Sequence, residues 1–138
     1  MEKVIYIGVM SRKEYVARTI AIAKGEYVPK PNEPKVWFES TRSMAEVLSN
    51  DNRELLALIA SKKPNSLKDL EVISGRKVSN LSRTLKRMEK FGIVTLQKNK
   101  KQVRPVVNAT NVKINIDLNP HLAQNASGKS KGMAEKTI

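Results

Sequence analysis

Cysteine is missing altogether. Its absence excludes disulfides and thiolate metal sites, and it suits a chain that works in a reducing compartment. Histidine occurs once, at His121, and the carboxylates are scattered. No paired acids, metal-ligand spacing or glycine-rich phosphate loop appears, so no catalysis, cofactor or metal is expected. Aromatics make up only 4% of the residues, which leaves Leu, Ile, Val and Met to build the core. The basic segments contain one aromatic, Phe91, a poor supply for stacking unpaired RNA bases. The longest apolar run, Leu55 to Ala60, is far too short to span a bilayer. Val4 to Met10, followed by Ser-Arg-Lys-Glu, is too short for a signal peptide. The expectation is a cytoplasmic protein with no membrane role, in which the Asn-X-Ser/Thr matches at Asn80, Asn108 and Asn125 carry no glycan.

Acids are also scarce relative to bases. The formal charge is +13 with a pI near 10.1, which points to a polyanionic partner. Between Lys62 and Arg104 there are thirteen Lys or Arg and three acids, Asp69, Glu71 and Glu89. A general solvated surface or a membrane-binding face does not account for that concentration on one segment.

The segment centres on Gly75 to Gly92. Helical spacing puts Val78, Leu81, Leu85 and Met88 on one stripe. The other side then carries Ser79, Asn80, Ser82, Arg83, Lys86, Arg87 and Lys90, side chains that bond phosphate oxygens and base edges. Upstream, Ser66 to Asp69 reads as a capping box opening a short helix, 67–73, with Leu67, Leu70 and Ile73 inward. Gly75 then supplies the turn. Downstream, 93–97 and 102–107 read as a hairpin with a cationic tip, Lys98-Asn-Lys-Lys101. Pro105 confines the return strand to an edge or a bulge.

The remainder reads in order. Val4 to Val9 is a β-branched strand. Ser11-Arg-Lys-Glu14 is a capping box for a helix to about Lys24, with Val16 and Ile20 on its buried side and Gly25 ending it. Pro29, Pro31 and Pro34 make an extended strap, anchored by Val36-Trp37-Phe38, with Trp37 as a core anchor. Ser43-Met-Ala-Glu46 reads as another capping box, for a helix through Leu48. Asn50 or Asp51 caps the next helix, with Leu55, Leu58 and Ile59 inward, Lys62-Lys63 in its last turn and Pro64 as its stop. Val112, Ile114, Ile116 and Leu118 alternate as a half-buried strand. The expected organisation is a strand–helix extension with its strap at 1–42, a compact domain at 43–118 and a disordered tail at 119–138.

The order of helices and hairpin resembles a winged helix-turn-helix of the broad MarR/ArsR type. The segment Leu81 to Val94 is similar to the end of the recognition helix and the start of the wing in those regulators. Arg18 to Gly25, Pro34 to Phe38 and Ser43 to Ser49 look like the front half of a family of archaeal and bacterial DNA-binding regulators. One departure is the entry to the helix. The family usually has a Ser or Thr cap there, where this chain has Arg76-Lys77.

The resemblance implies an α+β winged helix-turn-helix with an N-terminal strand–helix extension and an extra C-terminal strand. It implies a sequence-specific regulator of double-stranded DNA, a homodimeric (auto)repressor, with helix 77–90 in the major groove and wing 93–107 on the backbone. Arg76, Lys77, Ser79, Asn80, Ser82 and Arg83 are the candidates for base reading, Arg83 toward guanine and Asn80 toward adenine. Lys86, Arg87, Lys90, Lys98, Lys100, Lys101 and Arg104 are the candidates for phosphate. Val4 to Ile22 is the candidate dimer interface. The alternatives are an antitoxin-type protein, which binds a small toxin-like partner as well as its own promoter, and a non-specific RNA- or DNA-binding protein.

Overall fold

The computed structural model describes residues 3–118, and the tail expected at 119–138, with His121, lies outside them. The described chain is α+β, with five helices and two small sheets. It divides into two compact units. One joins residues 3–5 to Thr41–Lys113; the other joins Tyr6–Ser40 to residues 114–118. The borders fall after Ile5, after Ser40 and after Lys113, so the first and last of them cut the strands that hold Val4–Val9 and Asn111–Asn115.

β1 (Val4–Val9) leads to α1 (Arg12–Ala23) and then, through the proline strap, to β2 (Val36–Phe38). β1 pairs in parallel with β2, Ile7 opposite Val36 and Val9 opposite Phe38. The sheet order is β2-β1-β5, where β5 is Asn111–Asn115. Ile7 and Phe38 are fully buried. Gly8 lies against the Trp37 ring, so a Cβ there would stand 2.3 Å from a ring carbon. The Ser11 box is present: the Glu14 amide donates to Ser11 Oγ at 3.2 Å and the Ser11 amide to Glu14 Oε1 at 3.1 Å.

Glu33 pins the strap to α1. Its carboxylate accepts from Arg18 Nη2 at 3.0 Å, from the Lys30 amide at 2.9 Å and from the Tyr27 hydroxyl. The Arg18 guanidinium also sits over the rings of Tyr27 and Trp37, at 5.5 and 5.1 Å. Burial pushes the Glu33 carboxyl up. The bonds from Tyr27, Lys30 and Arg18 outweigh it and hold the group below its ordinary value. Tyr27 is raised by burial and by its bond to that carboxylate.

The larger unit holds α2 (Thr41–Val47), α3 (Asn50–Lys62), α4 (Leu67–Ser74), α5 (Val78–Lys90) and the antiparallel pair β3 (Val94–Asn99) and β4 (Gln102–Val107). Its core is Val47, Leu55, Ile59, Leu70, Leu81, Leu85, Met88, Ile93 and Val94, none more than 3% exposed. Each such side chain contributes about 1.5–3 kcal/mol by leaving water. Ser66 caps α4, accepting from Asp69 N at 3.0 Å, and Gly75 closes it at φ +77°.

Several expectations are corrected. Val16 and Ile20 are 45% and 49% exposed, and no residue of α1 is buried. Periodicity identifies a shared face but not whether anything covers it. The same holds for Ile73 on α4, at 42%, and for Ile114, Ile116 and Leu118, at 47%, 41% and 93%: β5 stops at Asn115, and only Val112 of the alternating set is half-buried. Ser43 lies inside α2 instead of capping it, because that helix begins two residues earlier. Ser49, not Asn50 or Asp51, caps α3 by accepting from Asn52 N at 3.2 Å. The hairpin turn shrinks to Lys100-Lys101, since Asn99 pairs with Gln102, and Lys98 belongs to β3.

Candidate functional site

α5 segregates its side chains sharply between two faces. Leu81, Leu85 and Met88 are fully buried, and Val78 is half-buried at the helix start. Ser79, Asn80, Arg83, Lys86, Arg87 and Lys90 are exposed on the remaining surface, with Ser82 half-buried between the faces. The stripe that pulls the helix onto α4 and β3 therefore also determines which side chains face out.

The helix entry is secured from outside. Lys77 stands at the cap with no side-chain capping bond of its own. Instead Glu71 on α4 accepts from the Val78 amide at 3.0 Å, placing a carboxylate at the positive end of the helix. The other end is secured in the same way: Glu89 accepts from Leu96 N at 2.9 Å and so joins the last turn of α5 to β3. Asn108 completes the joint. Its amide nitrogen donates to Ile93 O at 2.9 Å, and its side chain donates to Gly92 O and Thr95 Oγ1.

The candidate base-reading side chains fall into two groups. Among the described residues Lys77, Ser79, Ser82 and Arg83 make no side-chain hydrogen bond or ion pair. Arg76 is committed inward and half-buried. Its Nε donates to Asn80 Oδ1 at 2.8 Å, Nη1 to Asn52 Oδ1 at 3.2 Å and Nη2 to Thr84 Oγ1 at 3.1 Å. Asn52 is itself tied to α2, donating to the carbonyls of Glu46 and Val47 at 3.2 and 3.0 Å.

The candidate phosphate contacts divide as well. Arg87 donates to Ser43 Oγ and Glu46 Oε1, at 3.0 and 3.3 Å, both on α2. That exposed pair contributes little energy, but it turns Arg87 toward α2. Arg104 reaches across the hairpin to Gln97 Oε1, at 2.6 Å from Nη2. Lys90 lies over the Phe91 ring, 6.0 Å from its centre. Lys86, Lys98, Lys100 and Lys101 are exposed and unpaired among the described residues. Lys100 has φ +58°, a left-handed conformation that is unfavourable without glycine.

A groove of roughly 1010 Å³ runs beside the start of α5. Glu46, Asp51 and Glu54 line it from α2 and α3; Arg76, Lys77, Asn80 and Arg83 line it from α5 and the turn before it. Among the described residues no cluster of His, Asp or Glu has a metal-binding arrangement. No described helix is long and apolar enough to cross a membrane.

Residues 47–114 match the model of a family described as HVO_A0114. The match covers just under half of the chain, from the end of α2 into β5, and so includes α5 and the hairpin. The chain shows no significant similarity to any curated protein or to any solved structure.

The sequence reading missed Glu71, Glu89, Asn52 and Asn108. Each acts on a backbone group or side chain of another element, and nothing local to those residues marks them. The one available signal was indirect: α5 lacks a Ser or Thr cap, so its first amides need an acceptor from elsewhere.

Proposed function

We propose that this protein is a sequence-specific double-stranded DNA-binding regulator of the winged helix-turn-helix kind, a homodimeric (auto)repressor. In this reading α4, the Gly75 turn and α5 are the helix-turn-helix, and β3–β4 is the wing. The observation that carries it is the outer face of α5, where Ser79, Asn80, Arg83 and Lys86 stand exposed while Leu81, Leu85 and Met88 hold the helix from behind. An exposed helix of cations, hydroxyls and amides, followed by a cationic hairpin, suits a duplex groove flanked by phosphates.

The unpaired cations divide the work. Lys86, Lys98, Lys100 and Lys101 serve phosphates, and Arg83 serves a base edge, with Ser79, Asn80 and Ser82 beside it. The acids on the α2–α3 wall of the groove disfavour a phosphate strand there and turn the duplex toward the hairpin side. The exposed apolar side chains of α1, Tyr15, Val16 and Ile20, support the pairing of two copies through that helix.

The test is a titration against the DNA upstream of its own gene, with random duplex and single-stranded RNA as competitors, at two salt concentrations. Specific binding should survive random duplex. Arg83→Ala should weaken specific binding by about 1–3 kcal/mol and relax one base pair. Lys101→Ala should weaken all sequences alike and lower the salt slope by about one. Equal losses on specific and random DNA for both variants overturn the division. Ile20→Glu should halve the mass measured by light scattering; an unchanged mass rules out α1 as the interface.

A further inference from the structure

We infer that Arg76 is a positioning residue that sets what Asn80 reads, turning its carboxamide so that it presents a donor and not an acceptor. The inference rests on the DNA-binding reading above and deepens it. Arginine carries only donors, so the Asn80 atom 2.8 Å from Arg76 Nε must be Oδ1, and Nδ2 is the atom left facing outward. The same logic applies to Asn52, whose Oδ1 takes Nη1 while its Nδ2 serves two carbonyls of α2. Thr84, one turn beyond Asn80, takes the remaining arm at 3.1 Å. All three branches of the guanidinium are therefore engaged, and the fork is braced from α3 as well as from α5.

Asn80 itself is exposed. A free asparagine pairs with adenine by accepting from N6 and donating to N7. Here Oδ1 already accepts a charge-assisted bond, among the stronger hydrogen bonds, which draws on the oxygen and leaves it a weaker acceptor for N6. The outward Nδ2 instead suits a base with a carbonyl in the major groove, guanine O6 or thymine O4. Arg76 gives up its own base contact and confers this choice on its neighbour. The Ser or Thr cap expected at this turn has no comparable reach.

The experiment has two arms. Proton-exchange NMR on the free protein reads the Arg76 Nε proton, which should exchange slowly in the wild type and quickly in Asn80→Ala. Selection from a randomised duplex library then reads base preference. The wild type should favour guanine or thymine at one pair, and Asn80→Ala should lose that preference alone. Arg76→Met frees the carboxamide and should raise adenine at that pair about tenfold, the scale of one bidentate contact, with non-specific affinity changed only by the lost charge. A merely structural Arg76 would lower affinity without changing which base is chosen. An Asn80-dependent adenine preference already present in the wild type overturns the inference, as does a folded Arg76→Met with an unchanged preference. Should Arg76→Met fail to fold, the Asn80→Ala comparison decides. A wild type that selects no sequence while the Nε proton stays protected overturns the proposed function and this inference with it, and places the fault in the DNA reading, not in the bond.

Discussion

Removing the Glu71 carboxylate tests whether α5 is held from its neighbour. The Val78 amide donates to Glu71 Oε2 at 3.0 Å, and the cap residue Lys77 offers no side-chain bond. Deleting a side-chain acceptor at a helix start costs about 0.5–2 kcal/mol. Losing a negative charge from the positive end of the dipole adds about 0.3–1 kcal/mol. Glu71 is half-buried, so the water that replaces it recovers only part of this. Glu71→Ala should therefore cost about 1–2.5 kcal/mol. Glu71→Gln keeps an acceptor and removes only the charge, and should cost about 0.3–1 kcal/mol. Urea denaturation followed by far-ultraviolet circular dichroism measures both. Hydrogen exchange at the Val78 amide supplies the local readout and should accelerate in Glu71→Ala. The reasoning is refuted if Glu71→Ala costs less than about 0.5 kcal/mol and leaves that amide protected. A Glu71→Gln as damaging as Glu71→Ala would assign the whole effect to charge.

The other predictions concern the hairpin and the smaller unit. Lys100→Gly relieves a left-handed residue and should stabilise the hairpin by up to about 1–2 kcal/mol; on the proposed reading it also weakens DNA binding, so melting and affinity should move in opposite senses. Glu33 has a folded pKa below its unfolded value, so its stabilisation is complete above the unfolded carboxylate range of about 4.3 and is lost as pH falls through the folded value. Trp37 fluorescence should report that acid transition, and Glu33→Gln should abolish it. Gly8→Ala drives a Cβ toward the Trp37 ring and should cost about 1–3 kcal/mol in thermal or chemical denaturation.

What could be read from the chain alone follows a physical rule. The stripe Leu81, Leu85 and Met88, the Ser11–Glu14 box and the Ser66 cap are encoded within one or two turns, and all of them form. The Ser43–Glu46 pattern was equally local and did not form a cap. Its hydroxyl and carboxylate instead receive Arg87, more than forty residues away in sequence. Exposure was the least legible property, since Val16, Ile20, Ile114 and Ile116 have apolar periodicity without a covering element. On the candidate site, the outward face of α5 was legible from spacing. The commitment of Arg76 to Asn52, Asn80 and Thr84 was not, because it depends on where α3 passes.

The joint between α5 and the hairpin has a consequence for reach. Glu89 grips the Leu96 amide, and Asn108 bonds the backbone of Gly92 and Ile93 and the Thr95 side chain, so the hairpin leaves the helix without a slack hinge. Helix face and hairpin tip are thereby set at one separation, like the two points of a locked caliper. A surface whose contours match that separation is met at both points in a single encounter, and the ordering entropy has already been spent in folding. A surface of the wrong pitch can be touched at one point only, so the caliper discriminates by shape before any individual side chain does.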